Sequence, residues 1–379
     1  MAAHPGFDRR ALLRGGLTAT AAGALGLGAA GLAHAAPRSA ATSAPAAPAA
    51  GTAAATAAGR GARALAAPEP RIYTTAEWGA RPPEIDIVVL DHVPTYIVVH
   101  HTAEPGNSED YSLEHAMEIC RSIQDFHMDG RGWGDTGQQF TISRGGYQLE
   151  GRHESLDVVR GGTRHVQGAN VGGHNSEVVG IENEGLYTDV DVPAALWDSL
   201  VAMVAWIAGQ YGRPVENIMG HRDFNSTECP GDVLYGRLPE LREAVAETLG
   251  VPAPDRTAVW PLLRPGDRGA AVRAAQHLLR ARGFTGLPAD GLFGPATKAA
   301  VAKLAAVSGV DRHSCSAEFH RRADETGYLG ADIWPLIAPR GRAGTSGEVA
   351  KALEALLGRG KRAPASRELT PAVWKRLLS

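Results

Sequence analysis

The run Thr95-Tyr96-Ile97-Val98-Val99-His100-His101 constrains the fold more than any other stretch of this chain. It is of strand length, β-branched and apolar on both sides of its pleat, so it reads as a central strand covered on both faces by other elements. Side chains alternate along a strand. Tyr96, Val98 and His100 therefore share one face, and Ile97, Val99 and His101 the other. The flanking sequence supplies the covering layers. Ser112 to His127 carries Leu113, Met117, Cys120 and Ile123 at near-helical spacing and is closed by Asp129-Gly130-Arg131-Gly132. Gln139–Ser143 and Tyr147–Glu150 read as a hairpin around Arg144-Gly145-Gly146, and Val178–Glu184 as a further strand. Pro193–Tyr211 is a helix with Leu196, Leu200, Met203, Val204 and Ile207 along one stripe, and Tyr235–Leu249 another. Strands alternating with helices predict an α/β layered domain over 71–250, about 180 residues.

Where that domain would do chemistry is suggested by Gly220-His221-Arg222-Asp223-Phe224-Asn225-Ser226-Thr227-Glu228-Cys229-Pro230-Gly231. This polar loop sets His221 and Cys229, both metal-binding types, eight positions apart, with Thr227 between them and Pro230-Gly231 turning the chain. A catalytic zinc takes three protein ligands and keeps one position open, and the third ligand is sought at the end of the strand, in His100 or His101. Only one of the two can face the loop. Two histidines and a cysteine with an open position match a hydrolytic zinc, which acidifies water and polarises a carbonyl.

Taken in order, His100-His101-Thr102, Ile123-Gln124-Asp125-Phe126-His127-Met128, Arg131-Gly132-Trp133, Glu150-Gly151-Arg152 and the loop from Gly220 to Gly231 resemble the peptidoglycan recognition protein and type 2 N-acetylmuramoyl-L-alanine amidase family. The resemblance covers Arg71 to Gly250. It implies a mixed central β-sheet flanked by helices, a zinc ion in a groove, and hydrolysis of the amide joining the muramic lactyl group to L-alanine of the peptidoglycan stem peptide. It also assigns His100, His221 and Cys229 as the zinc ligands and Thr227 as a hydrogen-bond donor above the metal. The family's catalytic recognition proteins carry a tyrosine where this chain has Gln138, and many members carry a histidine near Asn170. Gly180-Ile181-Glu182-Asn183-Glu184-Gly185 is instead similar to the segment that supplies the proposed base in bacterial muropeptide amidases, which makes Glu182 the expected catalytic carboxylate and Glu184 its rival. The competing reading is a peptidoglycan-binding protein without catalysis. It leaves the complete ligand set unexplained.

The ends of the chain differ in character. Arg9-Arg10 followed by an Ala/Gly/Leu stretch and Ala33-His34-Ala35 reads as a twin-arginine signal peptide over 1–35, and 36–70 as a disordered Ala/Pro-rich linker. Export to the cell wall without stable membrane insertion follows from that reading. Beyond Pro254, Val259-Trp260-Pro261-Leu262 recurs as Ile333-Trp334-Pro335-Leu336, an internal repeat of roughly 76 residues. The first copy, 257–310, contains Asp290-Gly291-Leu292-Phe293-Gly294 and resembles a small helical peptidoglycan-binding module. The second, 333–379, is a degenerate copy with Leu353 in place of Gln276. A net charge of −3 over 379 residues gives no reason to expect a nucleic-acid partner. Cys120 and Cys315 remain once Cys229 is assigned to metal, and they are expected as two separate thiols.

Overall fold

The structure, a computed structural model, describes residues 67–318, 324–344, 346–358, 360 and 368–379. The signal-peptide and most of the linker expectations lie outside them. Among the described residues eight strands are formed before residue 221: β1 Ile72–Tyr73, β2 Val89–Leu90, β3 Tyr96–His101, β4 Phe140–Ile142, β5 Gln148–Glu150, β6 His165–Val166, β7 Val178–Asn183 and β8 Ile218–Gly220. Six make one sheet in the order β1-β5-β4-β7-β3-β8, while β2 and β6 pair separately. Strand β3 is parallel to β7 on one side and to β8 on the other, and β4 and β5 form the antiparallel hairpin. The sheet is thus mixed and β3 is internal, as the apolar run requires.

Helices α1 Thr75–Trp78, α2 Leu113–Asp125, α3 Ser155–Gly161, α4 Ala194–Tyr211, α5 Asp232–Gly236 and α6 Leu238–Leu249 flank it. Ile97 and Val99 of β3, with Val179 and Ile181 of β7, pack on Leu196, Leu200, Met203 and Ile207 of α4 and on Leu241 and Val245 of α6. Each such buried side chain contributes about 1.5–3 kcal/mol. Two helices differ from expectation. The Ser112–His127 pattern stops at Asp125 and continues as a wide π-type turn over Phe126–Gly130, which turns His127 and Met128 inward. The Tyr235–Leu249 stripe is split between α5 and α6, because Pro239 has no N–H and its ring meets the carbonyl of the preceding turn.

The opposite face of the sheet carries Val98, His100, Gly180 and Glu182. Val98 packs there with Val171 and Val178, and α2 borders this face through Ile119 and Ile123.

After Gly250 the chain forms α7 Ala270–Ala281, α8 Pro295–Ser308, α9 Trp334–Ile337, α10 Gly347–Leu357 and α11 Pro371–Leu378. Both copies of the repeat contribute to one hydrophobic cluster, from Leu263 and Val272 to Leu353 and Trp374. Trp260 stacks on Trp334 at 5.8 Å, and the Trp334 indole donates to the carbonyl of Pro261. The repeated Trp-Pro pair therefore joins the copies. In the first copy Gln276 donates to Asp290 Oδ1 and the Leu292 carbonyl and accepts from Gly291 N, holding the Asp-Gly turn. Leu353 replaces it in the second copy and is buried in the shared core. Among the described residues no helix is long and apolar enough to cross a membrane.

Candidate metal centre

Strand pairing decides which histidine faces the site. Parallel registry sets His100 beside Glu182 on β7, and the pleat turns His101 to the other side of the strand. Beyond β8 the chain enters a short 3₁₀ turn, His221–Asp223, fixed by Asp223, whose carboxylate accepts from Gly220 N at 2.9 Å and from the Tyr235 hydroxyl at 2.6 Å. The loop then returns so that Cys229 lies back against β3, its sulfur 3.6 Å from His100 Nδ1 and within reach of His101 N at 3.4 Å.

The ligand atoms of His100, His221 and Cys229 all lie within 4.8 Å of one another, and all three side chains are buried. His221 Nε2 meets Asn225 Oδ1 at 3.1 Å, which makes Nε2 the protonated nitrogen and leaves Nδ1 with a bare lone pair; that Nδ1 has no hydrogen-bond partner. Burial holds His221 down to about 3 and pushes His100 well below the ordinary histidine range, aided by the neighbouring His221 and His101. Both rings are therefore neutral, the form that ligates. Burial also raises the Cys229 thiol, so it keeps its proton until a cation takes its place. An unpartnered buried nitrogen beside a second neutral imidazole and a thiol fits a borderline-soft divalent ion such as zinc.

Glu182 stands across from His100, fully buried, with Oε2 unpartnered and Oε1 accepting from the Ser316 hydroxyl at 2.6 Å. Burial raises its carboxyl to about 8, opposed by Ser316 and the charge of Arg131. Glu184 is occupied differently. Beyond the end of β7, its two oxygens take His115 Nε2 at 2.8 Å and Arg144 N at 2.9 Å, which ties α2 to the β4–β5 turn. Thr227 is buried within the loop and its hydroxyl donates to Glu325 Oε1 at 3.0 Å while accepting from Cys229 N at 3.2 Å. Gln138 turns its amide to Thr141, and Asn170 donates to the Gly137 carbonyl and to Gln139.

Three participants had no assigned role in the sequence. His127 accepts from Gly137 N at Nδ1, 2.9 Å, which leaves Nε2–H to donate to the carbonyl of Ser316 at 2.8 Å. Burial holds that ring down to about 3. Cys315 and Ser316 come from the segment between the copies of the repeat, where neither periodicity nor spacing marks them. Cys120 and Cys315 are separate free thiols: Cys120 packs with Trp78 and Ala116, and Cys315 with Ile119, Ile123 and Cys229. A cleft of about 350 Å³ lined by His101, Leu186, Asp189, Cys229, Cys315 and Glu325 opens beside the metal-type cluster.

The chain is similar to known proteins over this domain and over part of the repeat. Residues 90–232 match the family described as N-acetylmuramoyl-L-alanine amidase, and residues 268–304 match a putative peptidoglycan binding domain. Peptidoglycan-recognition protein LB of Drosophila melanogaster is 30% identical over 169 residues, 44% of this chain and 67% of that protein. The human N-acetylmuramoyl-L-alanine amidase is 32% identical over 171 residues, and the matched part is 45% of this chain but only 28% of the human protein's length. The solved structure of wild-type Drosophila PGRP-LB has a TM-score of 0.40 at 26% identity, covering 49% of this chain and 99% of that one. The chain belongs to the peptidoglycan recognition protein and N-acetylmuramoyl-L-alanine amidase family.

Proposed function

We propose that this chain is a zinc-dependent N-acetylmuramoyl-L-alanine amidase, exported by the twin-arginine route, that hydrolyses the lactyl–L-alanine amide of peptidoglycan and is directed to the wall by its C-terminal repeat. The observation that carries this reading is the convergence of His100, His221 and Cys229 with a buried carboxylate, Glu182, in register beside His100. A binding protein needs no such set.

In this reading His100 Nδ1, His221 Nδ1 and the Cys229 thiolate would hold the ion, with Asn225 fixing the His221 ring. When bound, the ion supplies Lewis-acid polarisation of the scissile carbonyl and acidifies water at its open position. Glu182 is the base: in its ionised form it takes a proton from the attacking water, and it returns that proton to the leaving amine. His127 orients a substrate carbonyl through Nε2–H, since Gly137 N fixes its tautomer. Thr227 stands two residues before Cys229 as a donor toward the developing oxyanion once its present acceptor, Glu325, is released. The two copies of the repeat act as one wall-binding body, because they share a core.

Elemental analysis of the purified full chain, paired with detection of stem peptides released from purified sacculi, tests the reading. One zinc per chain and free stem peptides are expected. Stoichiometric zinc retained by Cys229→Ala, or glycan cleavage in place of amide cleavage, would remove it.

A further inference from the structure

His221 and Cys229 lie on a loop that is neither helix nor strand between Phe224 and Pro230. A loop of that kind is ordinarily the most mobile part of a site, yet here its polar groups are held by the part of the chain after Gly250. Ser226 N donates to Asp332 Oδ2 at 3.1 Å, the Ser226 hydroxyl donates to Asp332 Oδ1, and Gly330 N donates to Ser226 Oγ at 2.7 Å. Asp332 is 106 positions from Ser226 in the chain. The approach is close: a Cβ on Gly330 would come within 2.8 Å of the Ser226 Cα, so only glycine lets the two backbones meet there. Nearer Cys229, Arg264 pairs with Glu228 at 3.1 Å and with Asp232, and the Tyr328 hydroxyl donates to Glu228 Oε1 at 3.2 Å.

These contacts differ in what they fix. Arg264 and Tyr328 reach the tip of a part-buried Glu228 side chain, where an ion pair contributes little. Glu325 accepts from Glu228 N and from the Thr227 hydroxyl, but the catalytic reading requires it to leave Thr227. Asp332 instead takes the main-chain N–H and the short side chain of Ser226, the residue after Asn225. Asn225 Oδ1 in turn accepts from His221 Nε2–H at 3.1 Å, and Asn225 is buried, with its amide donating to the Gly172 carbonyl at 3.3 Å. The support behind Asp332 is rigid. Leu329, hydrogen-bonded in both directions to Leu263 at 2.9 Å, and Ile333 are buried in the cluster that the two copies of the repeat share. A carboxylate carried between two core residues holds a ligand-bearing loop more exactly than another loop could.

We propose that the C-terminal body is a structural part of the metal centre, with Asp332 as a positioning residue: by fixing Ser226 it holds Asn225 where it orients the His221 ring, so that the loop takes the ion tightly only with this body docked on it. This rests on the zinc reading above. Groups that orient a ligating imidazole from behind are worth about 10–100-fold in metal affinity, and loss of Asp332 should cost a factor in that range.

The test is zinc affinity of the full chain, measured by competition with a chromophoric chelator, for the parent, Asp332→Ala, Asp332→Asn, Ser226→Ala and the double variant, with amide hydrogen exchange of the metal-free proteins. Asp332→Ala should bind zinc about tenfold or more weakly, and peptides from the 220–231 loop should exchange faster while those of α4 and α7 keep the parent's protection. Asp332→Asn keeps an oxygen for Ser226 N and should stay within about threefold of the parent. The double variant should lose little more than either single one, because Asp332 acts through Ser226. Should Asp332→Ala fold poorly, Ser226→Ala removes the hydroxyl contacts from the loop side and should weaken zinc binding in the same way. Gln276→Ala, which loosens the C-terminal body away from the loop, should leave the affinity unchanged. Zinc binding by Asp332→Ala, or by Ser226→Ala in its place, within about threefold of the parent, or an equal loss in Gln276→Ala, overturns the proposal while leaving the zinc reading intact. A parent that binds no zinc removes both.

Discussion

Substituting Glu182 by Gln keeps the volume of the side chain and an oxygen to accept from Ser316, while abolishing the only change of charge at that position. A positioned base is worth about 10²–10⁴ in rate, and turnover should fall by that factor. The structure adds a pH signature. With the carboxyl raised to about 8 by burial in the metal-free chain, turnover of the parent should rise with pH as the carboxylate forms, by at most about tenfold above pH 7. A bound cation favours the carboxylate and pulls the midpoint below 8, so the rise lies at or below that pH. A linked effect on stability follows. The native carboxyl, near 8, holds its proton more tightly than the unfolded one, near 4.5, so this contribution is fully present below 4.5 and is lost as pH rises through 8. For the metal-free parent the loss between pH 4.5 and 7 is roughly 3 kcal/mol, and Glu182→Gln should remove that part of the slope. The assay is stem-peptide release from a soluble muropeptide by zinc-loaded protein, with urea unfolding of the metal-free forms. Turnover within about threefold of the parent and an unchanged pH profile would refute the assignment, since a base must contribute more. Glu184→Gln is the control. It should destabilise the chain through the lost His115 and Arg144 contacts without moving the pH profile.

Cys229→Ala should lose stoichiometric zinc by elemental analysis, because His100 and His221 alone leave a two-ligand site. Glu325, raised to about 7 chiefly by burial, should make the metal-free chain lose a further roughly 3 kcal/mol as pH rises from 4.5 to 7; Glu325→Gln should flatten that part of the urea-unfolding profile, and an unchanged slope would contradict its burial. Gln276→Ala strands the Asp290–Leu292 turn and should cost about 1–3 kcal/mol in thermal unfolding of the C-terminal region, whereas Leu353→Ala should cost about 2–5 kcal/mol through an apolar cavity.

The sequence by itself determined the parts of this protein that depend on local pattern. A β-branched run fixed the internal strand, a 3.6-residue stripe fixed α4, and residue type limited what His100, His221 and Cys229 can bind. The repeated Trp-Pro pair was visible for the same reason, since repetition needs no partner to be seen. The tertiary structure decided what depends on contacts between distant residues. Parallel registry set Glu182 beside His100, while Glu184, two residues on, passed the end of the strand and was drawn to His115 and Arg144. Strand geometry alone had left both facing one way. The two copies of the repeat merged into one core because Trp334 of the second reaches Pro261 of the first. Cys315 had no readable role, being 86 positions from Cys229 and 214 from His101 in the chain. No local propensity encodes a separation of that length. Its place follows from burial of the following segment against α2 and from the carbonyls that His127 and Arg131 satisfy there, interactions that exist only once the sheet has brought its strands together.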